Sequence, residues 1–352
     1  MKKKHWSLTL IITTAVVLLA FGAATYILDP LARYRIATKP LTYYEYSTAY
    51  CNPGLARYSK YDSVLVGDCL IQNTDIDLFE KKLDSGKTLR LSTNGATTCD
   101  IKRILDCCFN NSVNNDIKNV YWELNESEIV YGTPDNTEYP LPEYMWNEDH
   151  YSDLSYLLNL DVLYHYTIKD IIHTIKGDRQ PMAPRGITWG GDFDEEKVIN
   201  EYNRPEEKTL SEKEEKELHL KTDGNIENVV EIVRNNSDTN FTFYIPPYSI
   251  LYWDKAKRNG ELEVELTGME KAVGQLLEYD NVTVYFYQDI PEIFEDLDNY
   301  KDAIHFGNWV NDKLTELIGN NEGVLTLDNY QAKFRGFYNY LNEYDYDGLL
   351  SR

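Results

Sequence analysis

Five short β-rich runs separated by helical patterns constrain the fold of this chain more than any other feature. The runs are Ser63–Gly67, Thr88–Ser92, Asn119–Leu124, Asn240–Ile245 and Asn281–Tyr287. Helical periodicity fills the intervals at Thr98–Phe109, Leu160–Ile175, Asn225–Arg234 and Gly268–Leu277. Strands that alternate with helices form βαβ units, whose parallel sheet is covered on both faces. The expected fold is therefore α/β, a three-layer, doubly wound, flavodoxin-like arrangement around a central parallel sheet of about five strands. Sites in such sheets lie at the carboxyl ends of the strands. Two stretches break the alternation. Residues 132–159, rich in Tyr, Pro and Asn, read as an ordered excursion. Residues 192–221 hold 17 charged residues of 30 and read as an insertion, either a solvated helix with i,i+4 pairs or a lid over the site.

The N-terminus sets the compartment. Lys2, Lys3 and Lys4 precede an uncharged run from Leu8 to Leu28. As a helix that run rises about 31 Å, enough for a bilayer core of roughly 30 Å. The lysine cluster predicts a cytoplasmic segment 1–7, a transmembrane signal-anchor 8–28 and an exported remainder. A cleaved signal peptide is the competing reading, with weak small-x-small sites around Gly22 lying inside the apolar run. Residues 29–60 read as a connector, and 61–352 as one extracytoplasmic domain. The chain is thus expected in the cell membrane as a single-pass protein.

Composition narrows the partners. Acidic residues outnumber basic ones 58 to 35, for a net charge of −23. That balance argues against nucleic acid, whose binding requires neutralised phosphates. Tyrosine, at 29 of 352 residues, suits a surface that contacts sugars, although compositional bias is the plainer explanation. The five cysteines at 51, 69, 99, 107 and 108 lack zinc-site spacing, so neither a metal nor a cofactor is expected. Disulfides among Cys51, Cys99, Cys107 and Cys108 are open, and Cys69 is expected to stay unpaired.

Four motifs carry candidate chemistry. Gly67-Asp68-Cys69-Leu70 ends the first strand, where a nucleophile is held at the sheet edge and the following helix lowers a thiol pKa. A buried structural cysteine is the ordinary alternative. In Asp302-Ala303-Ile304-His305 the acid can fix one ring nitrogen and leave the other as a general base. Asn125, after the third strand, offers an amide to a developing oxyanion, and Gly95, after the second, offers a backbone N–H. Each of these also suits a plain turn. The histidines at 150, 165, 173 and 219 show no ligand spacing. Trp146, Trp189, Trp253 and Trp309 read as core, and Trp189, before Gly190-Gly191, is also a candidate sugar platform.

The chain order of these motifs resembles that of the SGNH (GDSL) hydrolases. Gly67-Asp68-Cys69-Leu70 stands for the G-D-S-L block, Gly95 for the glycine block, Asn125 for the Asn of G-x-N-D, and Asp302 with His305 for D-x-x-H. The resemblance spans about residues 61–320. Phrases such as Tyr61-Asp62-Ser63-Val64-Leu65-Val66-Gly67 and Phe243-Tyr244-Ile245-Pro246-Pro247-Tyr248-Ser249 look like membrane-anchored SGNH-like surface proteins of Gram-positive bacteria, the DltD-related group included. The resemblance implies an SGNH fold, with Cys69 as nucleophile, His305 as base, Asp302 as its orienter, and Cys69 N–H, Gly95 N–H and Asn125 as oxyanion donors. It implies an esterase or O-acyltransferase acting on a cell-surface glycan or teichoic-type polymer. Cys69 replaces the family's Ser, and Glu123 and Glu126 replace the Gly and Asp of G-x-N-D. A thiol paired with a histidine is a competent acyl nucleophile. The alternative is an inactive binding or assembly factor for surface polysaccharide, working with an envelope-assembly protein.

Overall fold

A computed structural model describes residues 2–36, 40–110, 116–138, 141–147 and 153–351. Its contacts divide the chain into two units. One is formed from the described parts of 1–60, 110–114 and 139–184, the other from 61–109, 115–138 and 185–352.

The second unit is α/β and is built on six strands. These are β1 (Ser63–Gly67), β2 (Thr88–Ser92), β3 (Asn119–Glu123), β4 (Asn240–Ile245), β5 (Val282–Phe286) and β6 (Val324–Leu325). Their spatial order is β2-β1-β3-β4-β5-β6. All neighbours are parallel except β5 and β6. The five expected strands form within a residue of their predicted ends. β6 is a sixth, an antiparallel edge of two residues, too short to leave a periodic pattern. Every residue of β1 and β2 is buried; this explains the continuous apolar run of β1, whereas β2, Thr-Leu-Arg-Leu-Ser, still alternates and buries its polar side chains too. On β3 the pleat sends neighbouring rings to opposite faces. Tyr121 meets Phe79 of the helix Ile76–Leu83 edge-on at 4.9 Å, and Trp122 lies 5.5 Å from Phe243.

Register decides where the loops open. Gly67 pairs with Ser92, Glu123 with Tyr244, and Ile245 with Phe286. The strands therefore end at a common level, and the segments that follow β1, β2 and β3 emerge together at one edge. The charged run of the expected insertion forms the first half of one α-helix, Glu212–Asn235. Ser211 and Glu214 close a capping box at its start, and the pairs Glu215–His219 and Glu217–Lys221 follow at i,i+4.

The first unit holds the apolar helix Lys2–Leu28. Over Trp6–Leu28 its mean hydropathy is 2.2, so it is long and apolar enough to cross a membrane, as an anchor or as a signal sequence would. Its end runs into a polar knot. Buried Asp29 accepts the N–H groups of Arg33, Tyr34 and Arg35, each at 2.9 Å, and the hydroxyl of Tyr156 at 3.0 Å. Residues 48–58 form a helix that contains Pro53, a residue that obscures helical periodicity in the sequence. Asp153–Leu157 and Val162–Lys176 are also helical, the latter with a π-helical first part.

Gly67 is required by close approach. A Cβ there would stand 2.8 Å from Glu123 Oε2 and 2.9 Å from Glu123 Cβ. Gly67→Ala should lower stability by about 1–3 kcal/mol, the usual cost of overpacking. The expected readout is a lower urea midpoint, and an unchanged midpoint would contradict this packing.

Candidate active site

β1 ends at Gly67, and the chain turns at once into a single 3₁₀ turn, Cys69–Ile71. Asp68 caps it, its Oδ1 accepting the Leu70 N–H at 2.7 Å. The turn holds Cys69 half-buried at the strand end. A separate loop brings up the histidine. Asp302 folds back on its own segment and accepts the N–H groups of Ile304 at 2.9 Å and His305 at 2.8 Å. Its Oδ2 also lies 2.8 Å from His305 Nδ1. His305 Nε2 then stands 3.1 Å from Cys69 Sγ. A carboxylate at Nδ1 fixes that nitrogen as the protonated one and leaves Nε2 to accept.

The structure thus brings Cys69, His305 and Asp302 into one hydrogen-bonded row. Gly95 bears on the same place, since its backbone N–H and that of Cys69 both lower the sulfur's proton affinity. Gly95 adopts φ +59, a left-handed conformation that glycine accepts without strain. Asn125 is placed differently. Its amide nitrogen donates to Asp68 Oδ2 at 3.1 Å and Glu123 Oε1 at 2.8 Å, and its oxygen accepts the Glu128 N–H at 3.0 Å. The amide is committed to the two carboxyls beneath the sulfur.

Electrostatics follow from burial. Glu123 is fully buried, and burial together with the Asp68 charge holds its carboxyl proton well above the usual range. Asp68 is likewise raised by burial, against the pull of the Leu70 N–H and a side-chain hydrogen bond to Glu123. Two touching buried carboxyls cannot both ionise, so the pair keeps a shared proton. Burial works to raise Asp302 as well, but the ring and backbone of His305 outweigh it and leave that carboxyl below its ordinary value. The Cys69 thiol is pushed up by burial, then by the charges of Asp68 and Glu123, against the two N–H groups. This corrects the expectation of a lowered thiol pKa. A three-residue turn has no helix dipole to offer, so desolvation wins.

Several flanking residues escaped the sequence reading. Asn73, buried, donates to the Phe306 carbonyl at 3.0 Å and accepts from Asn311 at 2.6 Å. Asn311 also donates to the Leu70 carbonyl at 2.7 Å. Trp189 stands edge-on to His305 at 5.2 Å, its indole N–H on Gln72 Oε1 at 3.1 Å and the Lys301 ammonium 4.4 Å from the ring centre. The glycines after Trp189 had marked it; a lone Asn or Gln leaves no such mark.

The other candidates fall elsewhere. His173 pairs with Asp178 and His219 with Glu215, His165 lies against Tyr164, and His150 lies outside the described residues. Trp253 is core, whereas Trp309 is exposed and bonds Asn299. None of the five cysteines is disulfide-bonded, and no cluster of His, Cys, Asp and Glu fit for a metal occurs among the described residues.

Glu126, the second departure from G-x-N-D, is fully buried, and burial raises it to about 7 despite its hydrogen bond from Gln288. Its folded pKa exceeds its unfolded value of 4.5, so folding retains a proton that the unfolded chain gives up. That stabilisation is complete below about pH 4.5 and is lost as the pH rises through about 7. Relative to Glu126→Gln, the wild type should lose about 3 kcal/mol of unfolding free energy over that window. Parallel curves of stability against pH for the two chains would contradict the assignment.

No family model and no curated protein matches the chain. A solved structure described as "a putative platelet activating factor from Streptococcus pneumonia" is similar at 10% identity with a TM-score of 0.39, over 88% of this chain and 97% of that one. Similarity at that level carries no argument about fold or chemistry.

Proposed function

We propose that this chain is a membrane-anchored, SGNH-like esterase or O-acyltransferase with a cysteine nucleophile, acting outside the cytoplasm on a cell-surface glycan or teichoic-type polymer. One observation carries the catalytic part: Cys69 Sγ lies 3.1 Å from His305 Nε2 while Asp302 holds Nδ1. The strand order β2-β1-β3-β4-β5 supports a flavodoxin-like sheet, with the nucleophile after its first strand. The apolar helix Lys2–Leu28 and the lysines at its start support the anchor and the exported site. Trp189 beside His305 supports a ring-bearing acceptor.

Because burial raises the thiol, the sulfur rests protonated beside Nε2. Nε2 takes the sulfur's proton as sulfur attacks the ester carbonyl. Charge grows on the carbonyl oxygen, where the N–H groups of Gly95 and Cys69 meet it. Collapse expels the alcohol with the proton from His305 and leaves a thioester on Cys69. Water or an acceptor hydroxyl, deprotonated by His305, then attacks the thioester and restores the thiol. Asp302 stabilises the imidazolium in both steps.

The competing reading is a polysaccharide-binding or assembly factor. It is favoured by Asn125, whose amide is spent on Asp68 and Glu123 and so leaves the oxyanion two donors. Turnover of p-nitrophenyl acetate by the full chain separates the two readings. Cys69→Ala should abolish turnover, His305→Ala should lower kcat by about 10²-fold or more, and Cys69→Ser should keep measurable activity. Equal rates for wild type, Cys69→Ala and Cys69→Ser would remove catalysis and leave the binding reading.

A further inference from the structure

In the first unit, the helix from Leu160 to Lys176 buries Val162 and Leu163 near its start yet leaves a second apolar face outward. Its inward side is polar where it meets residues 42–45. Asp170 is buried and accepts the Glu45 N–H at 2.7 Å. Thr174 Oγ1 accepts the N–H groups of Thr42 and Tyr43, each at 3.2 Å, and His173 stacks on Tyr43 at 4.5 Å. The outward side is apolar: Leu160, Tyr164, Ile168, Ile172 and Ile175 are 71, 68, 37, 46 and 80% exposed. Their spacing of four, four, four and three residues keeps them on one face. A helix facing water shows the opposite arrangement.

The apolar helix Lys2–Leu28 packs against both Asp153–Leu157 and Val162–Ile168, the π-helical part of the helix that carries this face. A methyl group placed on Gly22 would lie 3.7 Å from Leu158 Cδ2 and 3.8 Å from Leu157 Cβ. Gly22 is six residues from the helix end at Leu28, about 9 Å inside it. The neighbouring chain thus reaches an apolar level of the span, at the depth where interfacial helices bury their faces, roughly 5–10 Å below the headgroup boundary.

We infer that the Leu160–Ile175 face lies in the outer-leaflet interface and is covered by lipid, a second membrane contact beside the span. The occupant is lipid because the helix that carries the face packs on the span, and the face presents four aliphatic side chains and one tyrosine. Tyr164 and Lys176, exposed along it, are residue types that settle at headgroup level. The inference rests on reading Lys2–Leu28 as membrane-spanning.

The test uses the full chain in phosphatidylcholine–phosphatidylglycerol nanodiscs that contain a phospholipid with a diazirine on its acyl chain. After photolysis, adducts are mapped by mass spectrometry. Adducts are expected on peptides from both 8–28 and 160–176. The exposed triple variant Ile168→Asn, Ile172→Asn, Ile175→Asn should lose about tenfold of the adducts on 160–176 and keep those on 8–28. Adducts confined to 8–28 in the wild type would overturn the inference and leave the span standing. Adducts on neither segment would overturn the span itself. Lysine cross-links from Lys169 or Lys176 to a second copy, in place of lipid adducts, would make the face a contact between copies and overturn the lipid assignment.

Discussion

The buried amide of Asn73 ties together two parts of the site that are far apart in the chain. Cys69 belongs to the turn after β1, and His305 comes 236 residues later. Asn73 donates to the carbonyl of Phe306, the residue after His305, and accepts from Asn311, which itself holds the Leu70 carbonyl. Turn, histidine loop and the helix Asn308–Gly319 therefore share one set of buried hydrogen bonds. Losing a partner in such a set leaves buried groups unpaired at about 1–3 kcal/mol each, so the set has one low-energy arrangement. The 3.1 Å approach of sulfur to imidazole follows from it.

Beneath the sulfur, burial changes the meaning of the acidic residues. Glu123 and Glu126 stand where G-x-N-D has Gly and Asp, and by formula they add negative charge. Both lie fully buried with raised proton affinity, and Glu123 shares a proton and the Asn125 amide with Asp68. The pair thus carries less charge than its formula suggests. The cost is that Asn125 is held below the site, and the thiol stays protonated at rest. A protonated thiol facing an imidazole resembles the resting hydroxyl of a serine hydrolase more than a thiolate does.

Much of this was legible in the sequence, and the reasons differ by element. β1 reads as an apolar run and β2 as an alternating one, and the bounds of both agree with the structure to the residue. Asp302 and His305 are three residues apart on one loop, so their contact is local and their spacing reveals it. Gly95 was visible because a positive φ calls for glycine. β6 was not visible, because two residues carry no period. Asn73, Asn311 and the destination of the Asn125 amide were not visible either. Asn73 and Asn311 bond groups far away in the chain, the Asn125 amide joins Asp68 as well as its near neighbour Glu123, and a single Asn reads as a turn wherever it falls. The thiol pKa was misjudged because the length of the turn after Asp68, a single 3₁₀ turn, is set by tertiary packing.

The most direct measurement is covalent. The full chain is mixed with p-nitrophenyl acetate, quenched with acid within the first turnover and digested for peptide mass spectrometry. The account predicts an acetyl group on the peptide that bears Cys69, absent from Cys69→Ala and greatly reduced in His305→Ala. Ester consumption with no acetyl on Cys69, or equal labelling in the presence and absence of His305, would contradict a cysteine nucleophile served by this histidine.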